Sequence, residues 1–170
     1  DPQVLRLASL SDEYGNALET GWDEQARLVR IHDAPLAIDV TLHYDDRQHP
    51  RRPTSASHFD GEQHWPLTRW TYSQQGQLAS VTDAAGVVTR RFRYNDDGLM
   101  VWHQLPGGLE SEYRWQKLDH WRVVENRTNS GDGCRMHYDL EAGITRVSTY
   151  DGQQREHHWN AAGLITCFID

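Results

Sequence analysis

The 170-residue chain has few cysteines and no long apolar run. Its two cysteines, Cys134 and Cys167, are too few for a disulfide framework and form no Cys-x-x-Cys pair, so we predict two free thiols. No stretch approaches the roughly 18 apolar residues of a membrane span. The first residues, Asp1-Pro2-Gln3, lack the basic and apolar regions of a signal peptide. These residues leave the localisation open.

An excess of basic charge is also missing. The chain has 17 Lys and Arg against 25 Asp and Glu, a net charge of −8. This balance removes the positive surface on which nucleic-acid binding and polybasic membrane binding depend, and we expect neither partner. The chain does carry 7 Trp, 7 Tyr and 3 Phe, which argues against disorder because disordered segments are poor in aromatic residues.

The common motifs of enzymes are absent as well. The sequence has no Gly-x-Ser-x-Gly elbow, His-Glu-x-x-His pair, phosphate-binding Gly-x-x-x-x-Gly-Lys or dinucleotide-binding Gly-x-Gly-x-x-Gly. We therefore predict that the chain is not an enzyme and that it has no catalytic residues, no metal site and no cofactor.

What the sequence does contain is a repeat with a period of about 22 residues. An aromatic residue followed closely by a turn cluster recurs along the whole chain, with one longer interval between Tyr44 and Tyr72. A fixed period of this length indicates a repeat architecture. We predict these aromatic residues as structural anchors of the repeats: Trp22, Tyr44, Tyr72, Tyr94, Trp115, Tyr138 and Trp159.

The best-preserved unit, residues 72–99, contains two turns and two strand-length runs. Between the turns, Val88, Phe92 and Tyr94 fall on one face and polar residues on the other, the period of two that is typical of a strand. The turns end in glycine, which adopts positive φ at little cost. Each unit is therefore predicted to be a β-hairpin. The turn glycines included among the anchors are Gly76, Gly86, Gly98, Gly143 and Gly163.

A hairpin cannot bury its own apolar face, so each hairpin must pair with the next. We predict an all-β fold in which tandem hairpins form one continuous, curved antiparallel sheet. A truncated sheet leaves unpaired strand edges, which favour pairing with another chain. Edge-mediated self-association of the chain is therefore expected.

The repeated pattern resembles the YD-repeat proteins, whose unit looks like Tyr-Asp-x-x-Gly-Arg-Leu followed by an Asp-x-x-Gly-Asn turn. The resemblance covers essentially the whole chain. Trp replaces Tyr at three anchors, Ala26 stands in the place of a turn glycine, and Lys117-Leu118-Asp119 has no glycine. We expect the turns at Ala26 and at residues 117–119 to be built differently.

The predicted organisation is a single segment of repeat array over residues 1–170, with a longer insert loop within 45–71. The insert contains His49-Pro50-Arg51-Arg52-Pro53, and proline cannot donate to an inner ladder. We place no domain boundary in it.

The resemblance also implies a function. YD-repeat proteins of the bacterial Rhs type, related insecticidal-toxin subunits and animal teneurins wind their repeats into a spiral β-shell, and in the bacterial members the shell encloses a C-terminal toxin. By this similarity the chain would be an arc of the wall. Its partners would be neighbouring repeats, a C-terminal effector domain of the same polypeptide and a secretion apparatus. It would be made in the bacterial cytoplasm and then secreted or delivered.

Rhs-type shells cleave themselves near an Asp-Pro-x-Gly junction. Asp1-Pro2-Gln3-Val4 shares only the first two residues of that motif, and we assign no cleavage to it.

Several residues have a second interpretation. Trp65 and Trp70 could form an aromatic platform for sugars, which makes a carbohydrate-binding or cell-surface-recognition module the alternative function. The histidines of the insert are interpreted as surface residues, with a weak zinc site around His58 and His64 as the alternative. Glu110 and Glu112 share a strand face and are interpreted as a solvated wall, with acid and base catalysis as the alternative.

Overall fold

The computed structural model describes residues 5–33 and 35–170. Within them it has fifteen β-strands and no helix, and the strands follow one another in chain order in one open antiparallel sheet. This confirms the predicted all-β fold. The strands are β1 (Ser9–Ser11), β2 (Ala17–Trp22), β3 (Leu28–Asp33), β4 (Ile38–His43), β5 (Ser55–Phe59), β6 (His64–Tyr72), β7 (Leu78–Asp83), β8 (Val88–Tyr94), β9 (Met100–Gln104), β10 (Glu110–Lys117), β11 (Trp121–Thr128), β12 (Gly133–Asp139), β13 (Ile144–Thr149), β14 (Gln154–Trp159) and β15 (Ile165–Ile169).

One turn geometry connects most of these strands. In the turn that starts at Asp83, its N–H donates to the carbonyl of Val87 at 2.9 Å, and the N–H of Gly86 donates back to the carbonyl of Asp83 at 3.1 Å. This is a type I turn followed by one residue in the left-handed region, a common three-residue hairpin loop. The same two bonds recur in turns that start at Asp12, Asp23, Ser73, Asp83, Asn95, Leu105, Thr128, Thr149 and Asn160.

The first side chain of the turn explains the Asp and Asn of the repeat. Oδ1 of Asp83 accepts the N–H groups of Ala85 at 3.0 Å and Val87 at 2.9 Å. Oδ1 of Asn160 makes the same pair of bonds in its own turn, both at 3.0 Å. Short polar side chains stabilise turns by satisfying the backbone in this way.

The turn at Ala26 corrects one expectation. Ala26 has a φ of 61° and makes the same two backbone bonds as the glycine turns, so the predicted difference at this turn is wrong. The turn after β10 does differ, as predicted. Lys117 pairs with Trp121, and the N–H of Leu118 donates to the carbonyl of His120 at 3.0 Å, a tighter connection than the repeated one.

The chain divides into two compact units, Asp1–Thr89 and Arg90–Asp170, and the boundary falls inside β8. In each unit, strands contact only the strands next to them in sequence among the described residues. Each unit is thus a single layer of sheet with little apolar core. Among the described residues, the buried apolar side chains are Ala56 in the first unit and Val124 in the second. Cross-strand pairs and turns, more than a core, stabilise such a layer.

The first unit contains the longer connection, residues 44–54, between β4 and β5. Strands β5 and β6 then occupy most of residues 55–72. Two side chains from neighbouring segments hold the connection. Nη1 of Arg27, in the turn before β3, donates to the carbonyl of Pro50 at 2.8 Å, and the hydroxyl of Tyr72 on β6 donates to the carbonyl of Pro53 at 2.7 Å. Both prolines therefore contribute carbonyls where they cannot contribute an N–H.

Candidate functional site

The predicted anchor aromatics lie at similar places, within two residues of the end of a strand that leads into a turn. At most of them the strand register shifts by one residue immediately before the aromatic. A β-bulge of this kind sharpens the local twist and re-aims the side chain. The anchors at these bulges are Trp22, Tyr72, Tyr94, Trp115 and Trp159.

Tyr44 and Tyr138 show what the tip of a tyrosine anchor does. The hydroxyl of Tyr44 donates to the carbonyl of Leu28, and that of Tyr138 to the carbonyl of Val123, both at 2.8 Å. In each case the acceptor belongs to the preceding strand. Burial of the two rings raises the pKa of both hydroxyls. The anchors therefore pin each of these strands to the strand before it.

The tryptophan anchors make the equivalent bond. Nε1 of Trp22 donates to the carbonyl of Leu7 at 2.9 Å, and Nε1 of Trp115 to the carbonyl of Met100 at 2.8 Å. Tyr and Trp share a large ring with a hydrogen-bond donor at its far edge. This shared feature explains why Trp replaces Tyr in this repeat. Nε1 of Trp159 donates to a side-chain oxygen instead, Oγ1 of Thr145, at 3.2 Å.

Arginine side chains cover several anchor rings. The guanidinium carbon of Arg27 lies 4.6 Å from the ring centre of Tyr44. Arg122 lies over two rings, 5.0 Å from that of Tyr138 and 5.5 Å from that of Trp159. Cation–π contacts at these distances stabilise the pair and screen the ring from solvent. The covered rings are therefore part of the packing of the sheet and do not form an open recognition surface.

Two of the anchor glycines lie where a side chain has no room. A Cβ at Gly143 would approach the carbonyl oxygen of Trp159 to 2.6 Å, and one at Gly76 would approach the ring of His49 to 2.7 Å. The neighbouring repeat therefore requires glycine at Gly143, because backbone cannot move aside easily. Gly86, Gly98 and Gly163 occupy the same turn position, with φ of 80°, 79° and 75°.

Trp65 and Trp70 lie on β6 in the first unit. A bulge at Leu67 offsets the alternation, so the register places Trp65 opposite His58 and Thr68 opposite Ala56, all on one face. Trp70 shares that face with Thr68. Trp65 is 50% exposed, and its Nε1 donates to Asp60, whose pKa is lowered to about 2 by the N–H of Gln63 and by this indole.

His58 and His64 do not come together. The register pairs His58 with Trp65 and Phe59 with His64, so the two imidazoles lie on opposite faces of the sheet. This overturns the alternative of a zinc site built on that pair. Among the described residues, no group of three or more His, Cys, Asp or Glu side chains converges on a point that a metal ion could occupy.

His64 instead faces His43 across Ser57, an arrangement that sequence inspection missed. Oγ of Ser57 lies 2.9 Å from Nε2 of His43 and 3.4 Å from Nδ1 of His64, beside a groove of about 610 Å³. A Ser–His contact is the core of a nucleophile–base pair, which also needs a group to orient the base. In the described part of the chain, no carboxylate hydrogen-bonds the His43 ring.

The remaining candidates occupy separate places in the second unit. Glu110 accepts from Nε1 of Trp102 at 3.3 Å and from the amide of Gln104 at 3.4 Å, so its carboxylate is used in cross-strand bonds.

Cys134 on β12 and Cys167 on β15 are free thiols, as predicted. The residues Asp1-Pro2-Gln3-Val4 lie outside the described part of the chain. Nor does any helix long and apolar enough to cross a bilayer occur in that part.

Comparison with known proteins assigns the repeat. Residues 72–110 match the RHS repeat family. The chain is 45% identical over 163 residues to double-stranded DNA deaminase toxin A of Burkholderia cenocepacia, an alignment that covers 94% of the chain and 11% of that protein. It is 31% identical over 103 residues to toxin protein Tse5 of Pseudomonas aeruginosa, covering 56% of the chain and 8% of Tse5.

The fold has a counterpart among solved structures. A structure of the Photorhabdus luminescens Tc holotoxin pore superposes with a TM-score of 0.61 at 12% identity, over 92% of this chain and 9% of the matched one. The hairpin turns, the anchors and these matches define a YD-repeat protein. The chain carries an RHS repeat at residues 72–110 and is similar to Rhs-type toxin proteins over most of its length. It spans about a tenth of the length of the relatives it matches.

Proposed function

We propose that the chain is a non-enzymatic wall segment of an Rhs-type β-shell that encloses or presents a C-terminal effector domain of the same polypeptide. The observation that carries the proposal is the repetition of one construction unit: a type I turn, a bulge and an aromatic donor bonded to the preceding strand. Such a unit extends a sheet indefinitely and builds no pocket of its own. Residues 1–170 form one repeat array in this proposal.

The mechanism is steric. A wall of paired strands separates an enclosed domain from the cell without chemistry, and a net charge of −8 favours solubility of a large hollow assembly. The partners are the neighbouring repeats, which pair with the free edges of β1 and β15, then the effector domain, and a secretion apparatus that delivers the whole. Synthesis takes place in the bacterial cytoplasm, before secretion or delivery.

Limited proteolysis of the full-length polypeptide tests the enclosure. We expect the downstream domain to resist a protease that digests the same domain when it is expressed alone. Opening the wall with Gly143→Ala, which brings a Cβ against a backbone oxygen, should shorten that protection. Gly86→Ala is the matched control, because a Cβ there meets nothing within 4 Å. Equal digestion of the enclosed and isolated domains would overturn the proposal.

A carbohydrate-binding module is the second candidate, favoured by the bulge that places Trp65 and Trp70 on one face. The two rings are roughly 15 Å apart along the strand, a spacing that suits separate sugar units more than one. Titration with common oligosaccharides tests it. Saturable binding that is lost in Trp65→Ala and kept in Trp121→Ala, an exposed tryptophan elsewhere, would favour the module.

A further inference from the structure

A cluster of arginines in the second unit surrounds one carboxylate. The register aligns Arg114 on β10, Glu125 on β11 and Arg135 on β12, and Arg127 follows two residues after Glu125 on the same face. Tyr150, just past β13, reaches the same group. We call these five residues the Glu125 cluster.

Every arginine of the Glu125 cluster contacts the carboxylate. Oε1 accepts from Nη2 of Arg127 at 3.1 Å and from Nε of Arg135 at 3.0 Å, while Oε2 lies 3.3 Å from Nε of Arg114. The Tyr150 hydroxyl donates to Oε1 at 2.6 Å and accepts from Nε of Arg127 at 2.9 Å. These bonds, with that of Tyr150 foremost, lower the pKa of Glu125 to about 2 and keep it charged.

The Glu125 cluster holds its arginines while leaving their outer edges free. The side chains of Arg114, Arg127 and Arg135 are 67%, 56% and 62% exposed, whereas that of Glu125 is 11% exposed. Arg114 and Arg135 contact Glu125 through Nε, which leaves the terminal nitrogens of both side chains available for other partners. The Tyr150 ring lies against two of the guanidinium groups. Its centre is 5.7 Å from the guanidinium carbon of Arg127 and 5.4 Å from that of Arg135.

The Glu125 cluster is positively charged, although the chain as a whole is negatively charged. Three arginines and one glutamate give the Glu125 cluster a net charge of +2, in a chain of −8. The nearest further charge in the register is Glu112, opposite Arg127, which reduces the local excess to +1. Two other exposed arginines have acidic partners that offset their charge: Arg30 pairs with Asp39 at 2.7 Å, and Arg146 contacts both Glu156 and Asp139.

We propose that the Glu125 cluster is a docking surface for an acidic protein segment, whose Asp or Glu carboxylates bind the outward N–H pairs of Arg114, Arg127 and Arg135. Planar guanidinium groups match carboxylates with two parallel hydrogen bonds. The inward bonds fix their orientation before binding, which reduces the entropy lost when a partner docks. A carboxylate-bearing segment fits better than nucleic acid, because a chain of −8 repels an extended polyanion at every contact beyond the cluster.

The test measures fluorescence anisotropy of a labelled hexaglutamate peptide with the 170-residue chain. We expect saturable binding that weakens with salt and falls at least about tenfold in the double variant Arg114→Gln, Arg135→Gln. Arg146→Gln is the matched control, since it removes an exposed arginine that is already paired, and it should bind as the parent chain does. The double variant Arg114→Lys, Arg135→Lys keeps the charge but loses the paired N–H donors of the guanidinium groups, so it should also bind several-fold more weakly.

Other outcomes would overturn the proposal. The first is that the parent chain does not bind hexaglutamate. The second is that both double variants bind it as tightly as the parent chain does. The third is that the parent chain binds inorganic phosphate or a duplex oligonucleotide more tightly than hexaglutamate. Self-association that is lost in Arg114→Gln, Arg135→Gln would identify a second copy as the occupant instead. Far-UV circular dichroism of each variant ensures that a loss of binding is not a loss of fold.

Discussion

Ala26 occupies a turn position that glycine fills elsewhere, and Ala26→Gly is expected to stabilise the protein. Ala26 has a φ of 61°, in the left-handed region. A residue with a Cβ pays about 1–2 kcal/mol for that conformation. Glycine pays about 0.5–1 kcal/mol more than alanine in backbone entropy on folding. The difference predicts a gain of about 0.5–1 kcal/mol in the free energy of unfolding.

Gly86→Ala is the inverse experiment in the same kind of turn. Gly86 has a φ of 80°, and a Cβ there meets nothing within 4 Å, so only the backbone conformation is perturbed. We expect a loss of about 0.5–1 kcal/mol, for the reasons that give the gain at Ala26. The pair therefore isolates the cost of the left-handed residue from the cost of contacts.

Urea unfolding followed by tryptophan fluorescence measures both changes. With a slope of about 2 kcal/mol/M, the midpoint should rise by about 0.3–0.5 M in Ala26→Gly and fall by a similar amount in Gly86→Ala. A midpoint for Ala26→Gly equal to or below that of the parent chain would refute the turn geometry assigned to Ala26.

Three further predictions concern the anchors and the charged face. Gly143→Ala should cost at least about 1 kcal/mol more than Gly86→Ala in the same urea assay, because its Cβ meets a backbone oxygen at 2.6 Å; equal costs would contradict the close approach. Tyr138→Phe should lower the free energy of unfolding by about 1 kcal/mol, since the ring stays and one hydrogen bond to a main-chain carbonyl is lost. An unchanged midpoint would show that the hydroxyl contributes nothing. The Glu125 carboxylate, with a folded pKa of about 2 against an ordinary 4.5, contributes stability that is present above pH 4.5 and is lost as the pH falls toward 2. Stability should therefore fall more steeply over that range in the parent chain than in Glu125→Gln, and parallel curves would contradict the shift.

The hairpins were predictable because their determinants are local. Asp83 and Gly86 stand three residues apart, and their chemistry alone indicates the turn that the structure contains. The periodic aromatics likewise indicated equivalent positions in successive hairpins. At Ala26 the same reasoning failed, since a missing glycine suggested a different turn. The flanking strands impose the left-handed conformation there in spite of the residue's own preference.

The faces of the sheet were not predictable from spacing. His58 and His64 were grouped because they are close in sequence, but strand register places them on opposite faces. The contact between His43 and Ser57 depends on how β4 and β5 align, and the shared face of Trp65 and Trp70 depends on one bulge. The Glu125 cluster requires the register of three strands at once. Register is a property of the folded sheet, and a one-residue slip exchanges its faces.

Electron cryomicroscopy of the full-length polypeptide tests the central claim, that this chain is a segment of an enclosing wall, most directly. We expect β1 and β15 each to hydrogen-bond to a further hairpin of the same polypeptide, and the effector domain to lie inside the resulting shell. A segment that instead stands apart from the other repeats, with the effector domain exposed to solvent, would contradict it.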